Sequence, residues 1–363
     1  MSLLTELLRQ PERARTLDPA GWDLLIRQAR HANLLGRLCL ILAQHRLLDG
    51  ALEQARHHMR SAATMAERQH QSVRHETRLL RDTLAGLDLP LILLKGAAYV
   101  VADLPAARGR VFADLDILVP GERLQAVESE LMLSGWVGSS LDAYDQRYYR
   151  RWMHELPAMQ HMRRGTALDV HHTILPPTSR LHPDPAALIE ASIPVPGWPG
   201  VRTLSPCDMV LHSAAHLFHE GESDNLLRDL SDLDLLLRHF AATPGFWPAL
   251  TARAAAQGLT QPLRLALRYA GMLLATPVPA EALDAAGAGH SRGPVQHGLD
   301  FLYRRVLQPK HSSAADWATP LSRCLLYLRA HWLRMPPHLL AYHLLHKALW
   351  PPRQPPADTA DAR

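Results

Sequence analysis

The sequence predicts a helix-rich protein of the α/β (α+β) class, with a small mixed sheet between an N-terminal and a C-terminal helical region. Apolar residues recur at three- and four-residue steps on both sides of residues 89–204, which is typical of helices. Short β-rich runs bounded by Pro and Gly lie within residues 89–204 and predict strands. Aromatic residues make up only 6% of the chain, which favours a helical protein over a β-sandwich.

Residues 1–88 form the predicted N-terminal helical region. The stretch GWDLLIRQARHANLLGRLCLILAQHRLL shows the helical spacing, and a last amphipathic helix ends near Gly86. The Arg and His residues of that last helix are expected to form a solvated face rather than a nucleic-acid-binding patch.

Residues 89–204 form the predicted α/β core. In chain order its elements are a strand at 89–94, helical turns at 97–104, a strand in VFADLDILVP, a helix at 122–134, and two strands around a turn at Arg164 and Gly165. A Pro-rich connection with one short helix then leads out of the core.

Residues 205–350 form the predicted C-terminal helical domain, and residues 351–363 a disordered tail. Ser205 and Pro206 have the residue types of a helix N-cap and first turn. Breaks are expected near 243–246 and 275–298. Pro336 and Pro337 divide the last apolar stretch, which we expect to pack on the domain or on another subunit; an interfacial membrane helix is the alternative.

Composition restricts the functional classes. The formal charge is +4, which suits an anionic partner such as a nucleotide, a nucleic acid or an acidic membrane, and equally an ordinary soluble protein. The three cysteines lack disulfide or zinc-site spacing. Charged residues interrupt the first apolar run, and no stretch has the roughly 18 uncharged apolar residues of a membrane span. We therefore expect a cytoplasmic protein without a membrane span.

Two carboxylates stand out in the second predicted strand. Alternation places Asp114 and Asp116 on one face of the strand, with Cα atoms about 6–7 Å apart. In a protein interior this arrangement is costly unless a cation neutralises it, and Mg²⁺ or Mn²⁺ prefers such oxygen ligands. The alternative is a solvated sheet edge. A later strand adds Asp169 and, on the same face, His171.

These residues occur in an order that resembles a known superfamily. LLKGAAYVV, Arg110, DLDILV and DVHH resemble motifs of the nucleotidyltransferases with a polymerase-β-like core, and most closely those of an uncharacterised bacterial branch. The motifs cover about residues 91–175. A weaker similarity continues to about residue 240 and includes Asp232, which matches an acidic position in a helix of that branch.

The resemblance implies a metal-dependent active site. Asp114 and Asp116 match the metal-binding pair, and Asp169 matches a third carboxylate that binds a metal and helps to deprotonate the attacking hydroxyl. These three residues are the predicted catalytic and metal-binding residues, with Mg²⁺ or Mn²⁺ as the cofactor. The predicted nucleotide-binding residues are Lys95, Gly96, Arg110, His171 and Asp232.

The implied reaction moves a nucleoside monophosphate from a nucleoside triphosphate to a hydroxyl acceptor. The sequence leaves open whether the acceptor is a small molecule, a protein or a nucleic acid. It also leaves the oligomeric state open. Lys95 and Gly96 replace the Gly-Ser turn of most of the superfamily, so an inactive nucleotide-binding or regulatory protein is the main alternative. A phosphohydrolase is disfavoured because its nucleophilic Asp usually follows the first strand, where Lys95 stands.

A His-rich helix completes the candidates. His212, His216 and His219 share one face, but Ser213 occupies the Glu position of His-Glu-x-x-His, so a zinc protease lacks its general base. We expect this helix to pack beside the core with some imidazoles reaching a cleft; a histidine-lined zinc site is the alternative.

Overall fold

The protein is described by a computed structural model for residues 1–138, 152–219, 224–288, 293–336 and 338–339. Its helices are α1 (Leu3–Arg9), α2 (Pro19–His31), α3 (Leu35–Gln44), α4 (Glu53–Leu84), α5 (Lys95–Val101), α6 (Leu124–Leu133), α7 (Pro185–Glu190), α8 (Pro206–His219), α9 (Leu226–Phe240), α10 (Phe246–Ala256), α11 (Thr260–Leu274), α12 (Ala280–Ala285), α13 (Pro294–Val306) and α14 (Thr319–Arg334).

The strands are β1 (Leu91–Leu94), β2 (Asp114–Leu118), β3 (Trp136–Gly138), β4 (Met159–His161), β5 (Ala167–His171), β6 (Ile193–Pro194) and β7 (Val201–Thr203). They form one mixed sheet in the order β3-β4-β5-β2-β1-β7-β6. β2 lies at its centre, antiparallel to β1 and parallel to β5. The helix-rich α/β architecture with a small mixed sheet is therefore confirmed.

The described side chains form two large buried clusters. One joins α1, α2, α3 and the first half of α4. The other contains the sheet, the second half of α4 and side chains from later helices between α5 and α14. The 32-residue helix α4 therefore connects the two clusters. The predicted domain boundaries at 88, 204 and 350 stay a prediction.

Local sequence signals explain several element boundaries. Ser205 Oγ accepts a hydrogen bond from the Asp208 amide at 3.2 Å, so the predicted cap precedes α8. Gly165 adopts a φ of +69° in the turn between β4 and β5, where the sequence predicts the turn. The segment 275–298, predicted as a break, contains α12 and the start of α13. The short strands β3, β6 and β7 are not predicted by the sequence.

Helix α14 packs on α13 through one face and leaves apolar residues on the opposite face. Leu321, Leu325, Leu328 and Trp332 are exposed there, while Leu326 is buried. The helix ends before Pro336, as predicted. Within the described part of the chain, no helix combines the length and apolar character of a membrane span. The predicted tail, residues 351–363, lies outside the described residues.

Candidate active site

A polar pocket of about 300 Å³ opens at one end of strands β1, β2 and β5. Carboxylates and cationic side chains line it together. The charged residues in its lining are Lys95, Arg110, Asp114, Asp116, Glu155, Asp169, Arg228 and Arg334. Six of the eight predicted site residues line this pocket: Lys95, Gly96, Arg110, Asp114, Asp116 and Asp169. The other two, His171 and Asp232, lie directly behind it.

Strand register brings the three predicted catalytic carboxylates together. Asp116 on β2 is paired with Asp169 on the parallel strand β5, and Asp114 lies two residues before Asp116. Neighbouring strands are about 4.8 Å apart, and residues two apart in a strand share a face. The alternate residues Leu115 and Ile117 are buried in the main core. The sheet therefore presents three carboxylates to one pocket.

Asp116 is the best-partnered of these carboxylates. It is 4% exposed; Lys95 Nζ lies 3.1 Å and His171 Nε2 2.9 Å from its Oδ1. A carboxylate accepts hydrogen bonds, so both nitrogens donate. Burial raises the pKa of Asp116, but the charge of Lys95 and the hydrogen bond of His171 outweigh burial and hold that pKa well below its usual range. Asp116 is therefore ionised.

Asp114 and Asp169 are in a different electrostatic state. Burial, followed by the negative charge of Asp116, raises the pKa of Asp114. Burial, followed by the charges of Glu155 and Asp116, raises the pKa of Asp169 to about 7. Among the described residues, no side chain donates a hydrogen bond to either carboxylate. Clustered, half-buried oxygen ligands of this kind fit a divalent cation, which would remove the repulsion that adds to the effect of burial on both pKa values.

The turn after β1 is strained and tightly packed. Lys95 has a φ of +43°, a left-handed conformation that is uncommon for a residue with a side chain. A Cβ on Gly96 would lie 2.4 Å from Arg110 Nη1 and 2.7 Å from Phe112 Cδ1. The sequence predicts Gly96 as a point of close approach to phosphate. In the structure its missing side chain admits the Arg110 guanidinium.

Arg110 belongs to a buried ion-pair network. Its Nε donates to Asp232 Oδ2 at 2.7 Å, and Arg37 Nη2 from α3 lies 2.7 Å from Asp232 Oδ1. Burial lowers the pKa of Arg110, but the negative charges of Asp232 and Asp229 outweigh burial and raise that pKa. Burial raises the pKa of Asp232, but the positive charges of Arg110 and Arg37 outweigh burial and lower that pKa below its usual value. Asp232, predicted as a nucleotide-binding residue, is 2% exposed and contacts the pocket through Arg110.

Arg228, Arg334 and His216 also reach the pocket. Arg228 comes from the start of α9 and Arg334 from the end of α14. Neither arginine was predicted, because charged helix residues give no motif and Arg334 is distant in sequence. In the His-rich helix α8, His216 lines the pocket, whereas His212 and His219 are buried in the helix packing.

A second group of side chains lies beside Asp116. His171 Nδ1 is 3.4 Å and His154 Nε2 3.7 Å from the same Glu155 oxygen. The backbone positions Glu155, because the segment before β4 pairs antiparallel with the end of β5, with Leu156 N donating to Val170 O at 2.9 Å. Of these three residues, the sequence predicts only His171 as a site residue, because the adjacent His and Glu in MHELP form no spaced motif.

Comparison with known proteins gives one family. A family model described as "uncharacterised nucleotidyltransferase" matches residues 18–275, which include the sheet, the three carboxylates, Arg37 and Asp232. No curated protein sequence and no solved structure gives a significant match.

Proposed function

The chain belongs to this family of uncharacterised nucleotidyltransferases, and on that premise we propose that it transfers a nucleoside monophosphate from a nucleoside triphosphate to a hydroxyl acceptor, with a divalent metal ion. The observation that carries the proposal is the convergence of Asp114, Asp116 and Asp169 on one pocket that is also lined by cationic side chains. A pocket lined by charges of both signs matches a substrate that brings a metal ion and phosphates together.

The residues fit Mg²⁺ or Mn²⁺. Asp114, Asp116 and Asp169 would hold the ion or ions, because all three present oxygens to the pocket and two of them lack hydrogen-bond donors among the described side chains. Bound there, the metal would supply Lewis-acid stabilisation of charge on the phosphate and the acceptor oxygen. Lys95 and His171 keep the Asp116 carboxylate ionised and fixed.

Proton transfer in this proposal falls to Asp169. Its carboxylate lines the pocket next to the metal-binding pair, where an ionised carboxylate can accept a proton from a bound hydroxyl. Asp116 is a poorer base because its pKa is held low by Lys95 and His171 despite burial. We assign Asp169 to accept the proton of the acceptor hydroxyl.

Phosphate binding must differ from that of the Gly-Ser turn. Lys95 occupies that turn, and Arg228 and Arg334 approach the same pocket from α9 and α14. Their guanidinium groups have the fork geometry that matches phosphate oxygens. Arg110 adds positive charge, but Asp232 balances it at 2.7 Å. Asp229 lies 2.8 Å from Arg228 and partly balances that side chain. We propose that Lys95, Arg228 and Arg334 bind the triphosphate, so a Ser hydroxyl is not needed.

Calorimetric titration tests the nucleotide and metal parts of the proposal. The four nucleoside triphosphates are titrated in the presence of Mg²⁺ into wild type and into Asp114→Asn and Asp116→Asn. We expect at least one nucleotide to bind wild type and to bind each variant at least about tenfold more weakly, since a metal ligand is lost. Exposed Asp224→Asn is the matched control. Equal affinity in wild type and variants contradicts the site assignment.

A nucleotide-binding protein without turnover is the second candidate. The Lys95–Asp116 ion pair at 3.1 Å favours it, because Lys95 occupies one oxygen of a predicted metal ligand. Nucleotide binding without release of pyrophosphate, in the presence of cell lysate as the acceptor source, identifies this candidate.

A further inference from the structure

The cluster of His154, Glu155 and His171 lies beside the three proposed catalytic carboxylates, and the reaction proposed above uses only the Nε2 hydrogen bond of His171 to Asp116. One ligand atom from each residue can be chosen so that all three atoms lie within 4.8 Å of one another. The two imidazoles are 3% and 0% exposed, and the Glu155 side chain is 21% exposed. Two imidazole nitrogens and one carboxylate oxygen are the ligand set of many catalytic zinc sites.

We propose that His154, Glu155 and His171 bind a first-row transition-metal ion, with Zn²⁺ as the best match, in addition to the Mg²⁺ or Mn²⁺ held by the aspartates. Imidazole favours such metals over Mg²⁺, whereas the neighbouring aspartates offer only oxygen. The pocket would then contain two chemically distinct metal positions.

The distances support the proposal. With metal–ligand bonds of about 2.0–2.1 Å, two ligand atoms of a tetrahedral zinc ion lie about 3.3 Å apart. The separations of 3.4 Å and 3.7 Å from the shared Glu155 oxygen to His171 Nδ1 and His154 Nε2 are close to that value. The two imidazole ligand atoms lie within 4.8 Å of each other, so both histidines can reach one ion that Glu155 binds.

The hydrogen bonding of His171 gives an independent indication. Its Nε2 donates to Asp116 Oδ1, so in the neutral imidazole Nδ1 carries a lone pair. This buried Nδ1 has no hydrogen bond of acceptable geometry among the described residues and faces the Glu155 carboxylate. The position between Nδ1 and the Glu155 carboxylate suits a proton on Nδ1 or, in its place, a metal ion. In protein metal sites, a histidine ligand usually donates a hydrogen bond from its other ring nitrogen to a carboxylate or carbonyl, as His171 Nε2 does to Asp116.

The site has room for a further ligand. Three protein ligands leave the fourth tetrahedral position open, as in catalytic rather than structural zinc sites. His154 and Glu155 line the same pocket as Asp116 and Asp169, so the open position faces the pocket. The ion would also fix the His171 tautomer that donates to Asp116. Occupation of the site thus orients a ligand of the neighbouring metal position.

The test measures metal binding to nucleotide-free, chelator-treated protein in millimolar Mg²⁺, which competes with Zn²⁺ for the aspartates. Zn²⁺ is titrated by calorimetry, and Co²⁺ is followed by the visible absorption of tetrahedral cobalt. We expect one Zn²⁺ per chain and a tetrahedral cobalt spectrum. Glu155→Gln and His154→Ala should each weaken Zn²⁺ binding at least about tenfold and abolish the cobalt band.

Two control variants separate this proposal from the proposed function. His172→Ala removes an adjacent imidazole that lies outside the cluster. It should leave Zn²⁺ affinity within about threefold of wild type, which is less than the tenfold or greater loss expected when a metal ligand or its hydrogen-bond partner is removed. Asp114→Asn should keep Zn²⁺ binding while losing Mg²⁺-dependent nucleotide binding. Circular dichroism verifies that each variant is folded. No Zn²⁺ binding by wild type, or equal loss in His172→Ala and His154→Ala, overturns the proposal.

Discussion

The pH dependence of divalent-metal binding should follow the protonation of Asp169. Burial, together with Glu155 and Asp116, raises the pKa of Asp169 to about 7 in the metal-free protein. A metal ion binds the ionised carboxylate, so it must displace the proton wherever the pH is below that pKa. Metal affinity is therefore weakened at acidic pH and becomes constant above neutrality.

The size of this effect follows from the pKa. At pH 6 only about one Asp169 in eleven is ionised, whereas at pH 8 about ten in eleven are, so Mn²⁺ affinity should fall about tenfold between pH 8 and pH 6. The raised pKa of Asp114 adds to the loss at lower pH. Calorimetric titration of Mn²⁺ at several pH values, without nucleotide, measures the effect.

Asp169→Asn is the control for this prediction. The variant should bind Mn²⁺ more weakly than wild type at pH 8 but lose most of the pH dependence between pH 6 and pH 8, since the titrating group is gone. Equal Mn²⁺ affinity of wild type at pH 6 and pH 8 refutes the reasoning. So does a pH dependence that is unchanged in Asp169→Asn.

Three further predictions concern the surroundings of the carboxylates. Asp232→Asn removes the counter-charge of buried Arg37 and leaves buried Arg110 with only the more distant Asp229, so the free energy of unfolding in urea should fall by about 3–5 kcal/mol. Gly96→Ala should displace Arg110, because the new Cβ would lie 2.4 Å from Arg110 Nη1, and should weaken nucleotide binding in calorimetry. Arg334→Ala should raise the KM for the nucleotide roughly tenfold with a smaller change in kcat.

Each of these predictions has a matched control and a contradicting outcome. Asp224→Asn removes an exposed carboxylate and should cost at most about 1 kcal/mol; a similar small cost for Asp232→Asn contradicts the buried network. Gly138 has no atom within 4 Å of an added Cβ, so Gly138→Ala should leave nucleotide affinity unchanged. Unaltered nucleotide affinity in Gly96→Ala argues against the close packing of Gly96 on Arg110. A change in KM for Arg334→Ala that is no larger than the change for Arg323→Ala argues against nucleotide binding by Arg334.

The sequence predicts the strands that carry the three carboxylates well because local chemistry determines them. Alternation alone places Asp114 and Asp116 on one face, and β5 carries Asp169 and His171 on one face for the same reason. The strands β1, β2 and β5 contain, in chain order, residues of the three motifs LLKGAAYVV, DLDILV and DVHH. The strands β3, β6 and β7 have only two or three residues each, so their composition gives little periodicity, and long-range pairing decides their structure.

Contacts between distant segments account for what the sequence does not predict. Arg37 reaches Asp232 across 195 positions, and no local pattern indicates that pairing. Glu155 enters the site because a single isolated bridge aligns it with His171. Arg110 was predicted to contact phosphate from its position near the carboxylates. Its buried partner Asp232 shows that much of its charge is compensated within the protein.

The most direct test of nucleotidyl transfer uses nucleoside triphosphates labelled at the α- or the γ-phosphate. Each is incubated with the protein, Mg²⁺ and cell lysate, and labelled RNA, protein and small molecules are separated. We expect transfer of α-label with release of pyrophosphate by wild type, and no transfer by Asp114→Asn or Asp116→Asn. Transfer of γ-label instead of α-label, or α-label transfer that both variants retain, would contradict this expectation.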